Sequence, residues 1–143
     1  MRLSRFTTKP SRHACAIILP ALIAGFGTAY GTPKPSDMAA AQHYAAAAVH
    51  ARTVADAHAE LQRVLNCLVG KSGQGYDAAT HDRCSNAGIL AEAPRSSTIH
   101  IEAQKAAQIA EVGLSAGSLA MVRRTANAVD GLLHGKGVKG EYD

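Results

Sequence analysis

The sequence predicts an all-α fold, a small helical bundle. Apolar residues recur every three or four positions along alanine-rich segments, glycine and proline gather between those segments, and no strand-like alternation is visible. We expect one long helix over about 37–69 and an antiparallel helical hairpin over about 98–115 and 119–134. A long loop over 70–97 joins these two parts.

The first 31 residues are predicted to be a signal peptide. Basic residues precede an apolar run over about 14–24, and small residues follow, with cleavage after Gly31 or after Ala29. The run contains Pro20 and is shorter than the roughly 20 apolar residues that span a bilayer. We therefore expect a periplasmic or secreted protein with no stable membrane anchor after cleavage. A single helical domain over 32–143 would remain, with a loose tail from about 135.

Charge argues against a nucleic-acid partner. The leader holds four of the 15 lysines and arginines and none of the 11 acidic residues, so the mature chain has no net charge with histidine neutral. It also lacks a basic stripe with interleaved aromatics. The basic character of the whole sequence therefore belongs to the leader.

The predicted long helix begins with Ser36 as its cap and ends at Gly70, with no proline or glycine between 37 and 69. At 1.5 Å per residue it would be about 50 Å long. Its stripe is mostly alanine, interrupted by His43 and His50, in the first half and aliphatic from Val54 onward. The second half is therefore expected to face the core.

A length mismatch predicts an interaction surface. Each hairpin helix has about 17 residues and would cover only half of the long helix. We expect the other half, with Ala40, Tyr44 and Ala47 as its interaction face, to associate with a second copy of the chain or with a helical partner. The alternative is that this half is frayed or bent.

Cys67 and Cys84 are the two cysteines after the leader. In an exported protein an even number of cysteines indicates a disulfide, which here would tether the first part of the 70–97 loop. The rival interpretation is a dithiol metal or redox site. The spacing is not Cys-x-x-Cys and favours the structural bond, which would contribute about 3 kcal/mol in the chain-entropy model.

The second half of the chain carries clear helix boundaries. Ser97 or Thr98 starts one helix, Gly117 separates it from the next, and Ser118 can cap that next helix. The short Ser-Ala-Gly turn predicts an antiparallel hairpin. Within the glycine-rich 70–97 loop, the apolar pair at 89–90 is expected to dock onto the core.

Six histidines remain in the mature chain, and four are candidate ligands for Cu, Zn or Ni: His43, His50, His58 and His81. His43 and His50 lie about 10.5 Å apart along a helix axis, too far to share one ion without help from another segment. His81 is the strongest loop contributor because Asp77 and Asp82 lie beside it. The alternative is that these histidines are solvated or partly buried and bind nothing.

A G-x-S-x-G sequence at 113–117 resembles a nucleophile elbow, and Asp130 and His134 follow in hydrolase order. A nucleophile elbow requires a strand before the serine, whereas a helix is predicted before Ser115. We interpret Ser115 as a helix-end residue and expect no enzymatic activity.

The residues Glu102–Ala107, Val112–Leu114, Leu119 and Ala126 form a small-residue pattern. It resembles the alanine-rich helical hairpins of small histidine-rich periplasmic metal-binding proteins, and it is similar to tetratricopeptide-type hairpins. The resemblance covers about the last 40 residues and implies a helical scaffold. Only His100 and His134 flank this hairpin, so no ligand residue is carried across. The sequence thus predicts an exported, non-enzymatic helical binding protein, with a structural or interaction protein as the alternative.

Overall fold

A computed structural model describes residues 33–135. These residues form five helices, α1 Pro35–His50, α2 Val54–Val69, α3 Ile89–Glu92, α4 Thr98–Leu114 and α5 Leu119–Leu133. No strand occurs within 33–135, so the all-α prediction is confirmed. The predicted signal peptide and the tail after 135 lie outside the described residues. None of the described helices has the length and apolar character needed to cross a membrane.

The prediction of one long helix over 37–69 is wrong, because the chain leaves helical geometry between His50 and Val54. Ala51 is extended at φ −57° and ψ 146°. The Thr53 hydroxyl then caps α2 by accepting a hydrogen bond from the Asp56 amide at 3.0 Å. The Arg123 side chain of α5 donates to the Ala51 carbonyl at 2.9 Å, which satisfies a group exposed by the break.

The other helix ends agree with the sequence more closely. Ser97 caps α4 and Ser118 caps α5 through their hydroxyls, as predicted. Gly70 ends α2 with a positive φ of 67°. The predicted Ser36 cap is wrong: Pro35 is already helical, and no side chain caps α1. Proline suits this position because its missing N–H would have had no helical partner.

The helices α1, α2, α4 and α5 form an up-down-up-down four-helix bundle. Neighbouring helices are antiparallel, as the contacts between them show. On α1, Tyr44 meets Arg63 of α2, and Gln42 donates to the Leu133 carbonyl of α5 at 2.8 Å. On α4, Gly113 lies so close to α2 and α5 that an added Cβ would collide with Leu61.

Small side chains allow α1 to pack closely. Its buried apolar residues are three alanines and Tyr44, whereas α2 and α5 provide most of the large aliphatic core. The hairpin of α4 and α5 and the buried aliphatic half of the 37–69 segment are confirmed. In the connection between α2 and α4, Ile89 is fully buried as predicted. The fully buried large apolar side chains are Leu61, Val64, Leu65, Leu68, Ile89, Val122 and Val129.

Candidate functional site

The segment from Gly70 to Gly88 is organised around one buried side chain of α2. Asn66 is 1% exposed. Its amide nitrogen lies 2.9 Å from the Asp77 carbonyl oxygen, 3.0 Å from that of Thr80 and 3.2 Å from a carboxylate oxygen of Asp82. Its amide oxygen accepts from the Asp77 N–H at 2.9 Å. Asn66 is therefore one of the contacts that fix the path of a loop that has no periodic apolar pattern.

Two aspartates complete this loop structure. The Asp77 carboxylate accepts from the Thr80 hydroxyl at 2.7 Å and from the Ala79 amide at 2.9 Å. These hydrogen bonds, that of Thr80 above all, lower the pKa of Asp77 below its ordinary value of 3.8 because they stabilise the ionised form. The Asp82 carboxylate accepts from the Cys84 amide at 2.9 Å.

The predicted disulfide between Cys67 and Cys84 is confirmed, and its two Cα atoms are 5.2 Å apart. Beside it the loop is also fixed to α1. Asp37 is only 2% exposed, and its carboxylate accepts from the amide and the hydroxyl of Ser85. The Ser85 hydroxyl also lies 3.3 Å from a carboxylate oxygen of Glu92. The Asn66 hydrogen bonds, the disulfide and the Asp37–Ser85 hydrogen bonds thus hold the loop against α1 and α2.

A cleft of about 350 Å³ opens between α1, α2 and this loop, and we name it the histidine cleft. Arg63 braces it: its guanidinium lies 5.7 Å from the centre of the Tyr44 ring, and its Nε donates to the His81 carbonyl at 3.1 Å. Arg63 also forms an ion pair with Glu60. The lining residues are His43, Tyr44, Ala47, Glu60, Arg63, His81, Asp82 and Arg83.

A second cavity, of about 440 Å³, lies on the other side of His81 and Asp82, and we name it the cysteine pocket. Its walls are mainly polar loop residues, with Cys84 at one edge. The lining residues are Lys71, Tyr76, Ala78, Thr80, His81, Asp82, Cys84 and Asn86. His81 and Asp82 therefore face two cavities at once.

The structure brings two of the four predicted histidine ligands together. His43 and His81 line the histidine cleft. His50 is the exposed last residue of α1, and the His58 ring nitrogen lies 3.1 Å from the Ala116 carbonyl oxygen at the α4–α5 turn. Within residues 33–135, the one group of three ligand atoms lying within 4.8 Å of one another comes from Cys67, Asp82 and Cys84.

The predicted interaction face is largely covered within the chain. Tyr44 is 8% exposed beneath Arg63, while Ala40 and Ala47 are half-buried. The expected overhang of a long helix does not exist, because α1 turns back at Ala51 and packs on α2 and α5. The geometric reason for expecting a partner at this face is therefore removed.

The residues of the G-x-S-x-G interpretation do not come together. The Ser115 hydroxyl donates to the Val112 carbonyl at 2.8 Å, at the end of α4. His134 lies at the far end of α5, where its ring nitrogen is 3.3 Å from the Asp130 carboxylate. The length of α5, about 22 Å, separates Ser115 from His134, which is too far for a catalytic triad.

Sequence reasoning missed Asn66, Glu60 and Arg63 as parts of this region. Asn66 gave one usable signal, a polar residue inside the apolar run from Val64 to Leu68. Glu60 and Arg63 resemble any exposed helical ion pair, and only the folded loop gives them a role. Comparison with protein-family models, with curated proteins and with solved structures finds no match.

Proposed function

We propose that the chain is an exported, non-enzymatic binding protein that holds a transition-metal ion, Cu²⁺, Zn²⁺ or Ni²⁺, at the histidine cleft. The observation that carries this proposal is that His43 from α1 and His81 from the loop line the same cleft. The predicted leader and the disulfide support export, since disulfides persist in oxidising compartments.

The donor chemistry suits such an ion. Neutral imidazoles bind borderline metals, and a carboxylate from Asp82 or Glu60 would offset part of the positive charge. Both histidines are exposed, and sharing one ion would require their rings to turn toward it from the lining of the cleft. Two imidazoles and one carboxylate leave a coordination position for water, so the proposed site is an open one.

The cleft also contains features that limit affinity. Arg63 and Arg83 add positive charge at the same place, although the pairing of Arg63 with Glu60 offsets one of them. Bringing the ligand atoms together requires the His43 and His81 side chains to be ordered, which consumes part of the binding free energy. We therefore expect moderate affinity and one ion per chain.

The test is calorimetric titration of the oxidised mature chain with Cu²⁺, Zn²⁺ and Ni²⁺. The double variant His43→Ala with His81→Ala is expected to weaken binding at least tenfold. The control is His50→Ala with His134→Ala, which removes two exposed histidines outside the cleft and should leave the affinity unchanged. No saturable heat with any of the three ions would end the proposal, and so would equal affinity of the two double variants.

A role as an interaction protein is the second candidate, and one observation favours it. Val112 is 59% exposed and Met121 is 51% exposed, and both line a mainly apolar cavity of about 430 Å³ at the α4–α5 turn. This surface replaces the α1 face as the place where a second copy or a partner helix would dock. A concentration-dependent mass that Met121→Lys returns to the monomer value would support it, and a monomer at all concentrations would argue against self-association.

A further inference from the structure

The sulfur atoms of Cys67 and Cys84 and a carboxylate oxygen of Asp82 lie within 4.8 Å of one another. Two thiolates and one carboxylate are a ligand set that suits Zn²⁺ or Cd²⁺. While the disulfide is intact, neither sulfur is a thiolate, so this set is unable to bind a metal ion. The histidine cleft uses imidazoles rather than sulfur, and although His81 and Asp82 border both places, the two thiolates make this site testable apart from the proposed function.

The loop is held in place by more than the disulfide. The Asn66 hydrogen bonds to Asp77 and Thr80 do not involve the cysteines, nor does the hydrogen bond from the Lys71 amide to the Asn86 carbonyl at 2.9 Å. Gly70 and Gly88 also pack backbone against backbone. After reduction these contacts would keep Cys84 beside Cys67, as a preorganised dithiol requires.

Asp82 is already oriented toward the two sulfurs. One of its carboxylate oxygens accepts from the Cys84 amide at 2.9 Å, and the other accepts from the Asn66 amide nitrogen at 3.2 Å. Hydrogen bonds of this kind fix a ligand before the metal arrives. The cysteine pocket provides a path from solvent, because Asp82, Cys84 and His81 all border it while Cys67 is fully buried.

We propose that reduction of the Cys67–Cys84 bond converts this corner of the loop into a metal site with two thiolates and the Asp82 carboxylate as ligands. His81 or a water molecule would supply the fourth ligand. The reduced chain would then offer a metal ion two thiolates that the oxidised chain lacks, while His81 and Asp82 border both proposed sites.

The chemistry requires a dithiol as reductant. One of its thiolates attacks the accessible Cys84 sulfur, which forms a mixed disulfide and releases the Cys67 thiolate. The second thiol of the reductant then attacks the reductant's other sulfur, which is bonded to Cys84 in the mixed disulfide. This step releases the Cys84 thiolate and leaves the reductant as a cyclic disulfide. Two electrons pass to the protein cysteines. Each protein thiolate can take up a proton from water, and binding of Zn²⁺ or Cd²⁺ to the resulting thiols releases these two protons again.

The test uses Cd²⁺, because cadmium thiolates absorb in the ultraviolet. The mature chain is reduced with dithiothreitol, freed of reductant without air, and titrated with Cd²⁺ beside the oxidised chain. We expect one Cd²⁺ per reduced chain, a thiolate-to-cadmium absorption band, and an affinity at least a hundredfold above that of the oxidised form. A reduced chain without the band, or with the affinity of the oxidised chain, overturns the proposal.

Variants separate this site from the histidine cleft. Asp82→Asn should weaken Cd²⁺ binding by the reduced chain about tenfold, whereas Asp130→Asn, on α5 and outside the lining of the cysteine pocket, should not change it. His43→Ala should leave the absorption band intact. Equal binding by the Asp82 and Asp130 variants would contradict the ligand assignment. If Asp82→Asn fails to fold by circular dichroism, the comparison of reduced and oxidised wild type still decides.

Discussion

At the scale of single residues, Asn66 joins α2 to the loop through several hydrogen bonds. The connection from 70 to 97 has no helical or strand periodicity to hold it, yet much of it follows a defined path. The reason is that a primary amide both donates and accepts, so one side chain can satisfy several backbone groups of the loop. The short α3 helix and the disulfide hold the rest of the connection in place.

Replacing Asn66 should therefore lower the stability of the protein substantially. In Asn66→Ala the loop groups that it pairs lose their partners in a buried setting, so we expect the unfolding free energy to fall by about 2–4 kcal/mol. Denaturant unfolding of the oxidised chain measures this. Asn127→Ala, at an exposed position of α5, is the matched control and should change stability by less than about 0.5 kcal/mol. Equal losses in both variants would contradict the role of Asn66.

Asp77 makes the loop sensitive to acid. Its folded pKa lies below the ordinary value of 3.8, so its ionised form stabilises the fold above that pH. This contribution is lost as the pH falls below 3.8 through the lowered folded pKa. In Asp77→Asn it is absent, so the difference in unfolding free energy between wild type and variant should shrink in that acid range. A difference that stays constant between neutral and strongly acidic pH would refute this.

At the scale of elements, the informative feature is the break after His50. Alanine propensity favours continuing the helix, because neither proline nor glycine interrupts 37–69. Burial decides otherwise: folding back lets α1 cover the aliphatic face of α2, which a straight helix would leave exposed. The sequence Thr53-Val54-Ala55-Asp56 carries a capping signal, a threonine with an acidic residue three positions later.

The cap makes a direct test of the break possible. Thr53→Ala removes the hydroxyl that accepts from the Asp56 amide, so we expect a loss of about 1 kcal/mol in unfolding free energy. A continuous helix would predict the opposite sign, because alanine is the better helix former. Thr98→Ala is the control, since Thr98 follows the Ser97 cap and caps nothing itself. A gain in stability for Thr53→Ala would be inconsistent with the break.

Features of the fold that depend on local sequence signals could be predicted, and features that depend on packing between helices could not. The α4–α5 hairpin, its serine caps, the disulfide and the burial of Ile89 depend on local signals and were predictable. The turn at Ala51 was missed although Thr53 and Asp56 carry a capping signal, because alanine propensity favours a continuous helix and the surface that α1 buries on other helices decides against it. Of the cleft, His43 and His81 were among the candidate ligands. That both line one cleft follows from the folded loop, in which the His81 carbonyl accepts from Arg63, and no periodic pattern indicates this.

At the scale of the whole molecule, breaking the 37–69 segment turns a mismatched three-helix arrangement into a bundle of four helices with 15–17 residues each. Helices of equal length can bury their apolar faces within one chain. The described helices therefore bury most of their large apolar side chains against one another. Residues of the connection from α2 to α4 line both cavities. The candidate sites therefore lie at the side of the bundle, not in its core.

Loss of the disulfide should weaken this molecule without unfolding it. In Cys67→Ser with Cys84→Ser, a loop of 17 residues is no longer closed, which removes about 3 kcal/mol in the chain-entropy model. The helical circular dichroism spectrum should persist, because the Asn66 and Asp37 hydrogen bonds remain. Loss of the helical spectrum at room temperature would contradict this expectation, because it would show that the remaining loop contacts do not keep the chain folded without the disulfide.

The methyl-sized side chains through which α1 packs have a consequence for amide exchange with solvent deuterium. When α1 detaches, its own side chains expose little apolar area, because Tyr44 is its one large buried apolar side chain. Amides in the second half of α1 should therefore exchange before those of α2, which the sulfur bond and the aliphatic core retain. Since His43 belongs to α1, partial opening of this helix would provide a release route for a bound ion while the rest of the bundle stays folded.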